Sequence, residues 1–165
     1  MSGVLDVLEV PRERVVAVLE VLRRRGETVA TAESLTAGLV SAALTEVAGA
    51  SDVVRGGMVV YATDLKSSLA GVDADLLDEH GPVHPRVAEA LAAGARLHCA
   101  ADWGIGLTGV AGPDPQDGTA PGTVHLGFAG PDETAVCSVS LEGDRHAVRA
   151  AAVRATMEHF TRMVR

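Results

Sequence analysis

The order in which the hydrophobic pattern changes period along the chain is the tightest limit on its fold. Val15, Val18, Leu19 and Leu22 recur at helical spacing and predict a helix over about 11–25, which Gly26 ends. ETVATAES then reads as a short strand, and TAGLVSAALTEVA as a helix running to Gly49. RGGMVVYA has the β-branched character of a second strand. TDLKSSLAG reads as a short helix capped by Thr63 or Asp64 and closed by Gly71, and VDADLLDEHG as another. HPRVAEALAAGARLHCA is a longer helix with Pro85 in its first turn. The last third breaks the alternation. DWGIGLTGV is a strand, while TVHLGFAG and ETAVCSVSLEG read as a hairpin turning at Gly130–Pro131, before a final helix over about 144–163. Strands separated by helices call for parallel pairing, and strands adjacent in sequence for antiparallel pairing. Both occur here, so the expected fold is an α/β sandwich with a mixed sheet, built as one domain over residues 1–165.

Composition removes several classes of function. Aromatic residues are only 2% of the chain, so the core must be made of Ala, Val and Leu, and platforms for stacking bases are scarce. A formal net charge of -8 repels a phosphate backbone, and no nucleic-acid partner is expected. A small anionic ligand remains compatible, because a few convergent backbone N–H groups can hold a phosphate on an acidic protein. No apolar run reaches membrane-spanning length, and MSGVLDVLEV has acids where a secretory signal has a basic region. Cys99 and Cys137 stand alone, as in a cytoplasmic protein with reduced thiols, and the six histidines show no metal-ligand spacing. No metal or cofactor is expected. The run ALAAGA is small enough to pack closely against a second copy, which makes a homodimer conceivable.

Four stretches can carry chemistry. TAESLTAG (31–38) puts Ser34 where a strand gives way to a helix, so the N–H groups near Leu35 and Thr36 can face a developing oxyanion. The alternative is that Ser34 or Thr36 is simply a helix cap. MVVYATDLKSS (58–68) contains the only Tyr and the only Lys of a chain with 13 Arg. Arg stays protonated, whereas a desolvated Lys can lose its proton and serve as a base. Lys66 could therefore deprotonate a serine, directly or through Tyr61, which could relay the proton or hold the hydroxyl in place; a solvated Lys beside a half-buried Tyr is the bland alternative. LTGVAGPDPQDGTAPGT (107–123) is a long Gly/Pro-rich connector whose section Gly109–Gly112 can bring bare N–H groups to a ligand. EGDRHAVR (142–149) opens the last helix with Asp144 as cap, placing Arg145 and Arg149 on one face where either could meet a phosphate, a carboxylate or solvent.

In this order, TAESLTAG, GGMVVYATDLKSSLAGV, GLTGVAGPDPQDGTAPGTVHLGFA and EGDRHAVR resemble the C-terminal domain of the competence/damage-inducible CinA family, which also occurs as a stand-alone nicotinamide mononucleotide deamidase. The resemblance spans roughly 31–149. It implies a three-layer α/β/α sandwich and a metal-independent amidohydrolase turning nicotinamide mononucleotide into nicotinate mononucleotide and ammonia. It implies a Ser–Lys–Tyr catalytic group, which falls on Ser34, Lys66 and Tyr61. The substrate-binding positions it implies are Glu33, Leu35, Thr36, Thr108, Gly109, Ala111, Gly112 and Arg145. The partner is then a small-molecule nucleotide. A non-catalytic pyridine-nucleotide-binding or regulatory module is the alternative. Two departures stand out. The family's AESCTGG reads AESLTAG here, with Leu35 and Ala37, so a turn that needs positive φ would strain Ala37. Thr108 stands where relatives often carry Ser.

Overall fold

A computed structural model describes residues 2–165. Its helices are α1 (Val4–Leu8), α2 (Arg12–Arg25), α3 (Leu39–Thr45), α4 (Thr63–Ser68), α5 (Ala74–His80), α6 (Pro85–His98) and α7 (Arg145–Met163). Its strands are β1 (Val29–Glu33), β2 (Val54–Val59), β3 (Trp103–Gly109), β4 (Thr123–Ala129) and β5 (Thr134–Ser140). The sheet order is β2-β1-β3-β4-β5, parallel among β2, β1 and β3 and antiparallel from β3 through β5. The mixed sheet is thus as the sequence predicts.

Side-chain alternation along each strand divides the core into two. Trp103, Ile105 and Leu107 of β3 and Val124, Leu126 and Phe128 of β4 face α1, α2, α3 and α7, where Leu19, Leu22, Val153, Met157 and Phe160 complete the larger cluster. Ala30 and Ala32 of β1 face the other way, with Val60, Leu77, Val87, Leu91 and Ala95. Helices therefore cover both faces, in three layers. On the second face the intervening positions of β3 and β4 include Gly104, Gly106 and Gly127, and these let α6 lie close to the sheet. A Cβ at Gly104 would collide with the Ala92 carbonyl, and one at Gly106 or Gly127 with the Ala88 carbonyl. Close approach, not backbone freedom, explains these glycines. Within ALAAGA, Leu91, Ala92, Gly94 and Ala95 are buried by this packing and so are spent inside the chain.

Three local differences from the sequence reading follow from side-chain bonds or short-range packing. The helix expected from Thr36 begins at Leu39, because residues 34–38 turn around the Glu33 carboxylate first. The β4–β5 connection spans residues 130–133, closed by the Gly130 N–H on the Glu133 carbonyl at 2.7 Å. The N-terminal stretch contains α1, which buries Leu5 and Leu8. Among the described residues no helix is long and apolar enough to cross a membrane.

The packing of α6 is directly testable. Gly106→Ala forces an atom into the Ala88 carbonyl and should cost about 3 kcal/mol of unfolding free energy, read from chemical denaturation. An unchanged denaturation midpoint would contradict the close approach.

Candidate active site

The connections from β1 and β2 leave the sheet on opposite faces, which opens a crevice beyond the carboxyl ends of the parallel strands. Ser34 follows β1, Tyr61 and Lys66 follow β2, and Gly109 ends β3 with residues 110–112 after it, so three distant stretches end at one place. A pocket of about 350 Å³ lies there, with Ser34, Lys66, Thr108 and Arg145 in its wall.

The turn carrying Ser34 is held by a single side chain. Glu33 is fully buried and its carboxylate accepts five hydrogen bonds. Oε2 takes the Thr36 hydroxyl at 2.6 Å and the N–H groups of Gly38 and Val40 at 3.1 Å each. Oε1 takes the Ser41 N–H at 2.9 Å and the Thr31 hydroxyl at 3.3 Å. A carboxylate at these N–H groups is favoured by the positive end of α3. Behind the turn, Arg149 donates to the Leu35 carbonyl at 2.8 Å and the Thr36 carbonyl at 3.4 Å. Glu33 and Thr36 are thus fully buried in the turn they stabilise and, unlike the other substrate-binding positions the resemblance implies, are not in the pocket wall. Arg149 likewise holds backbone carbonyls. Within this turn Ala37 has φ 47°, the left-handed region that the AESLTAG departure put in question.

Lys66 is 2% exposed, and its Nζ lies 3.0 Å from Ser34 Oγ. It also donates to the carbonyls of Val60 at 2.9 Å and Tyr61 at 3.4 Å. Among the described residues no carboxylate contacts the amine, and burial lowers its pKa from 10.5 to about 8. The donor count matters here. A neutral amine has two N–H groups and one lone pair. Two carbonyls can only accept, so they take both N–H groups and leave the lone pair for the Ser34 hydroxyl.

Tyr61 sits elsewhere in the site than a relay would. Its side chain is 57% exposed and its hydroxyl accepts from Arg145 at 2.8 Å, while Lys66 reaches Ser34 directly. The other Arg145 nitrogen donates to the Gly112 carbonyl at 2.8 Å, so Arg145 ties Tyr61 to the Gly/Pro-rich loop across the mouth of the pocket. Leu35, Thr108, Gly109, Ala111, Gly112 and Arg145, the other substrate-binding positions that the resemblance implies, line the pocket. Thr108 acts through its neighbour: its hydroxyl donates to the Pro82 carbonyl at 2.6 Å and so fixes the wall formed by Pro82 and Val83. Among the described residues, the N–H groups of Leu35, Ala111 and Gly112 donate to no protein acceptor. Pro82, Val83, Asp114 and Gln116 were not expected in the wall, and nothing in their spacing signals it. No group of three or more His, Cys, Asp or Glu side chains able to hold a metal ion occurs among the described residues.

Comparison with known proteins agrees with this architecture. Residues 12–164 match the CinA C-terminal domain. The chain is 48% identical over 147 residues to a CinA-like protein of Frankia casuarinae, covering 89% of this chain and 34% of that protein. It is 43% identical over 146 residues to a CinA-like protein of Acidobacterium capsulatum, covering 88% of this chain and 35% of that one. The chain thus spans about a third of the length of these relatives. Among solved structures, a CinA-superfamily protein of Klebsiella pneumoniae superposes with a TM-score of 0.88 at 30% identity, over 93% of this chain and 96% of that one. A competence or damage-inducible protein from Enterobacter asburiae gives a TM-score of 0.90 at 27% identity over 100% of both chains.

The strained turn makes its own prediction. Ala37→Gly removes the left-handed penalty and should raise the unfolding free energy by roughly 0.5–1 kcal/mol, after the greater unfolded-state entropy of Gly is deducted. A loss of stability in thermal denaturation would show that residue 37 does not hold a positive φ.

Proposed function

The chain belongs to the CinA C-terminal domain family, and we propose that it is an amidohydrolase converting nicotinamide mononucleotide to nicotinate mononucleotide and ammonia. One observation carries the reading: the sole lysine, buried and without an acidic partner, has its amine 3.0 Å from a serine hydroxyl at a pocket.

The reaction follows from that pair. Neutral Lys66 accepts the Ser34 proton, and Oγ attacks the carboxamide carbon. The oxyanion that forms faces the Leu35 N–H, a donor with no protein acceptor beside the nucleophile. Lys66 then returns its proton to the departing nitrogen, so ammonia leaves and the nicotinoyl group stays on Ser34 as an ester. Water, deprotonated by the again neutral Lys66, attacks the ester; Lys66 gives that proton to the departing Ser34 Oγ, and the released acid loses its own proton to solvent, leaving the carboxylate product and free Ser34. The carbonyls of Val60 and Tyr61 receive N–H groups in both charge states of the amine and hold Nζ in place throughout. At the other end of the pocket, Arg145 and the N–H groups of Ala111 and Gly112 suit a phosphate. Tyr61 keeps Arg145 at the mouth. The ring's positive charge withdraws electrons from the carboxamide and makes its carbon more electrophilic.

Released ammonia from purified protein and nicotinamide mononucleotide is the primary assay; saturable binding with no ammonia would instead favour a regulatory module. Lys66→Arg keeps a cation but removes the base, and Lys66→Met occupies the same channel without charge. Both should lose turnover by about 10³-fold while remaining folded by circular dichroism. Only the neutral amine can accept the proton. Hence kcat/KM should rise with pH and level off above about 8, and a flat profile from pH 6 to 9 would remove Lys66 as the base.

A further inference from the structure

Asp114 is the only carboxylate among the residues that line the pocket. It lies between Pro113 and Pro115, whose rings fix their own φ and restrict the residue between them. Its side chain makes no hydrogen bond or ion pair with any described residue, although Arg145 stands in the same pocket wall. Arg145 is committed instead to the Gly112 carbonyl and the Tyr61 hydroxyl. The wall therefore carries one positive group held by two hydrogen bonds and one exposed, unpaired negative group, neither neutralising the other. A ligand complementary to both is a zwitterion.

We propose that Asp114 is a specificity-determining residue that recognises positive charge on the heterocycle of the ligand, so that the site takes cationic pyridinium nucleotides in preference to their uncharged dihydropyridine counterparts. This rests on the deamidase reading for the identity of the ligand. Arg145 takes the anionic end and Asp114 the cationic ring, and the two contacts together orient the carboxamide towards Ser34. Selection of the charged ring has a chemical consequence, since the same charge activates the carboxamide for attack. The contact adds binding energy to the charged ring, so its loss weakens binding of the cationic ligand.

Two ligands that share carboxamide, ribose and phosphate, one with a cationic aromatic ring and one with a neutral ring carrying an added hydride at C4, test this. In a Ser34→Ala background, where neither ligand is consumed, dissociation constants are measured by calorimetry for nicotinamide mononucleotide and for its 1,4-dihydro form. Ribose and phosphate are the same in both. The oxidised form should bind about threefold to fivefold more tightly, the scale of a partly solvated charge pair. Adding Asp114→Asn should bring that ratio to near one by weakening the cationic ligand alone. A ratio that survives the substitution overturns the proposal. So does an equal loss for both ligands, which marks a contact to ribose or a change in the loop, and so does failure of both ligands to bind. Ammonia release by the wild-type protein is scored separately. No release together with a collapsing ratio removes the deamidase reading and leaves charge recognition in place; release with an unaltered ratio does the reverse.

Discussion

The buried carboxylate of Glu33 is the interaction on which the site depends. It closes five hydrogen bonds within residues 31–41, drawing the N–H groups that open α3 and the Thr36 hydroxyl onto one anion. The turn so formed places Ser34 at the end of β1 and forces Ala37 into a left-handed conformation that an isolated chain would avoid. Strain of this kind persists only where the surroundings over-determine it, and Glu33 on one side with Arg149 on the other supply that constraint. Glu33 also occupies the anion site that the start of α3 would otherwise offer. In the proposed reaction an anionic ligand is thereby left to the loop after β3 and to Arg145, and the oxyanion to the Leu35 N–H.

Burial of Lys66 is the second constraint, and it opposes stability. The lowered pKa means that the ammonium form is destabilised by on the order of 3 kcal/mol relative to an exposed lysine. The sign follows from proton counting. Between about pH 8 and 10.5 the unfolded chain binds more protons at this residue than the folded one, so stability rises with pH there; below about 8 the full cost is present. A methionine at this position would avoid the cost and lose the base. The short helix α4 holds the amine in the site, since the Lys66 backbone carbonyl also accepts from Val72 N–H at 3.0 Å and closes the helix onto the following segment.

Much of this was legible in the sequence because the signals were periodic or compositional. The succession of helical and alternating runs gave the element order, and adjacent late strands implied the antiparallel half of the sheet. One Lys among many Arg marked Lys66. What stayed hidden depended on direction and distance. Ser34 and Lys66 are 32 positions apart, so local pattern does not join them; the family resemblance does, and parallel pairing of β1 with β2 brings them together. Consecutive residues at a strand end point to opposite faces, so once Ser34 faces the pocket Glu33 must face α3; applied at that position, the two-residue period identifies its structural role. Tyr61 shares its stretch with Lys66, yet its phenol turns towards Arg145, 84 positions away, a contact no local pattern announces. Asp114 lies in a loop without periodicity, and its place in the wall emerges only with the pocket.

The central claim is that the lone lysine is a neutral amine within the working range of pH. Because the chain has one Lys, protein labelled with ε-¹³C,¹⁵N-lysine gives a single side-chain amine signal, which can be followed by NMR as pH is raised. A titration midpoint at about 8, shifting when Ser34 is replaced by Ala, is the result predicted. A midpoint at 10.5, the value of an ordinary solvated lysine, would contradict the account.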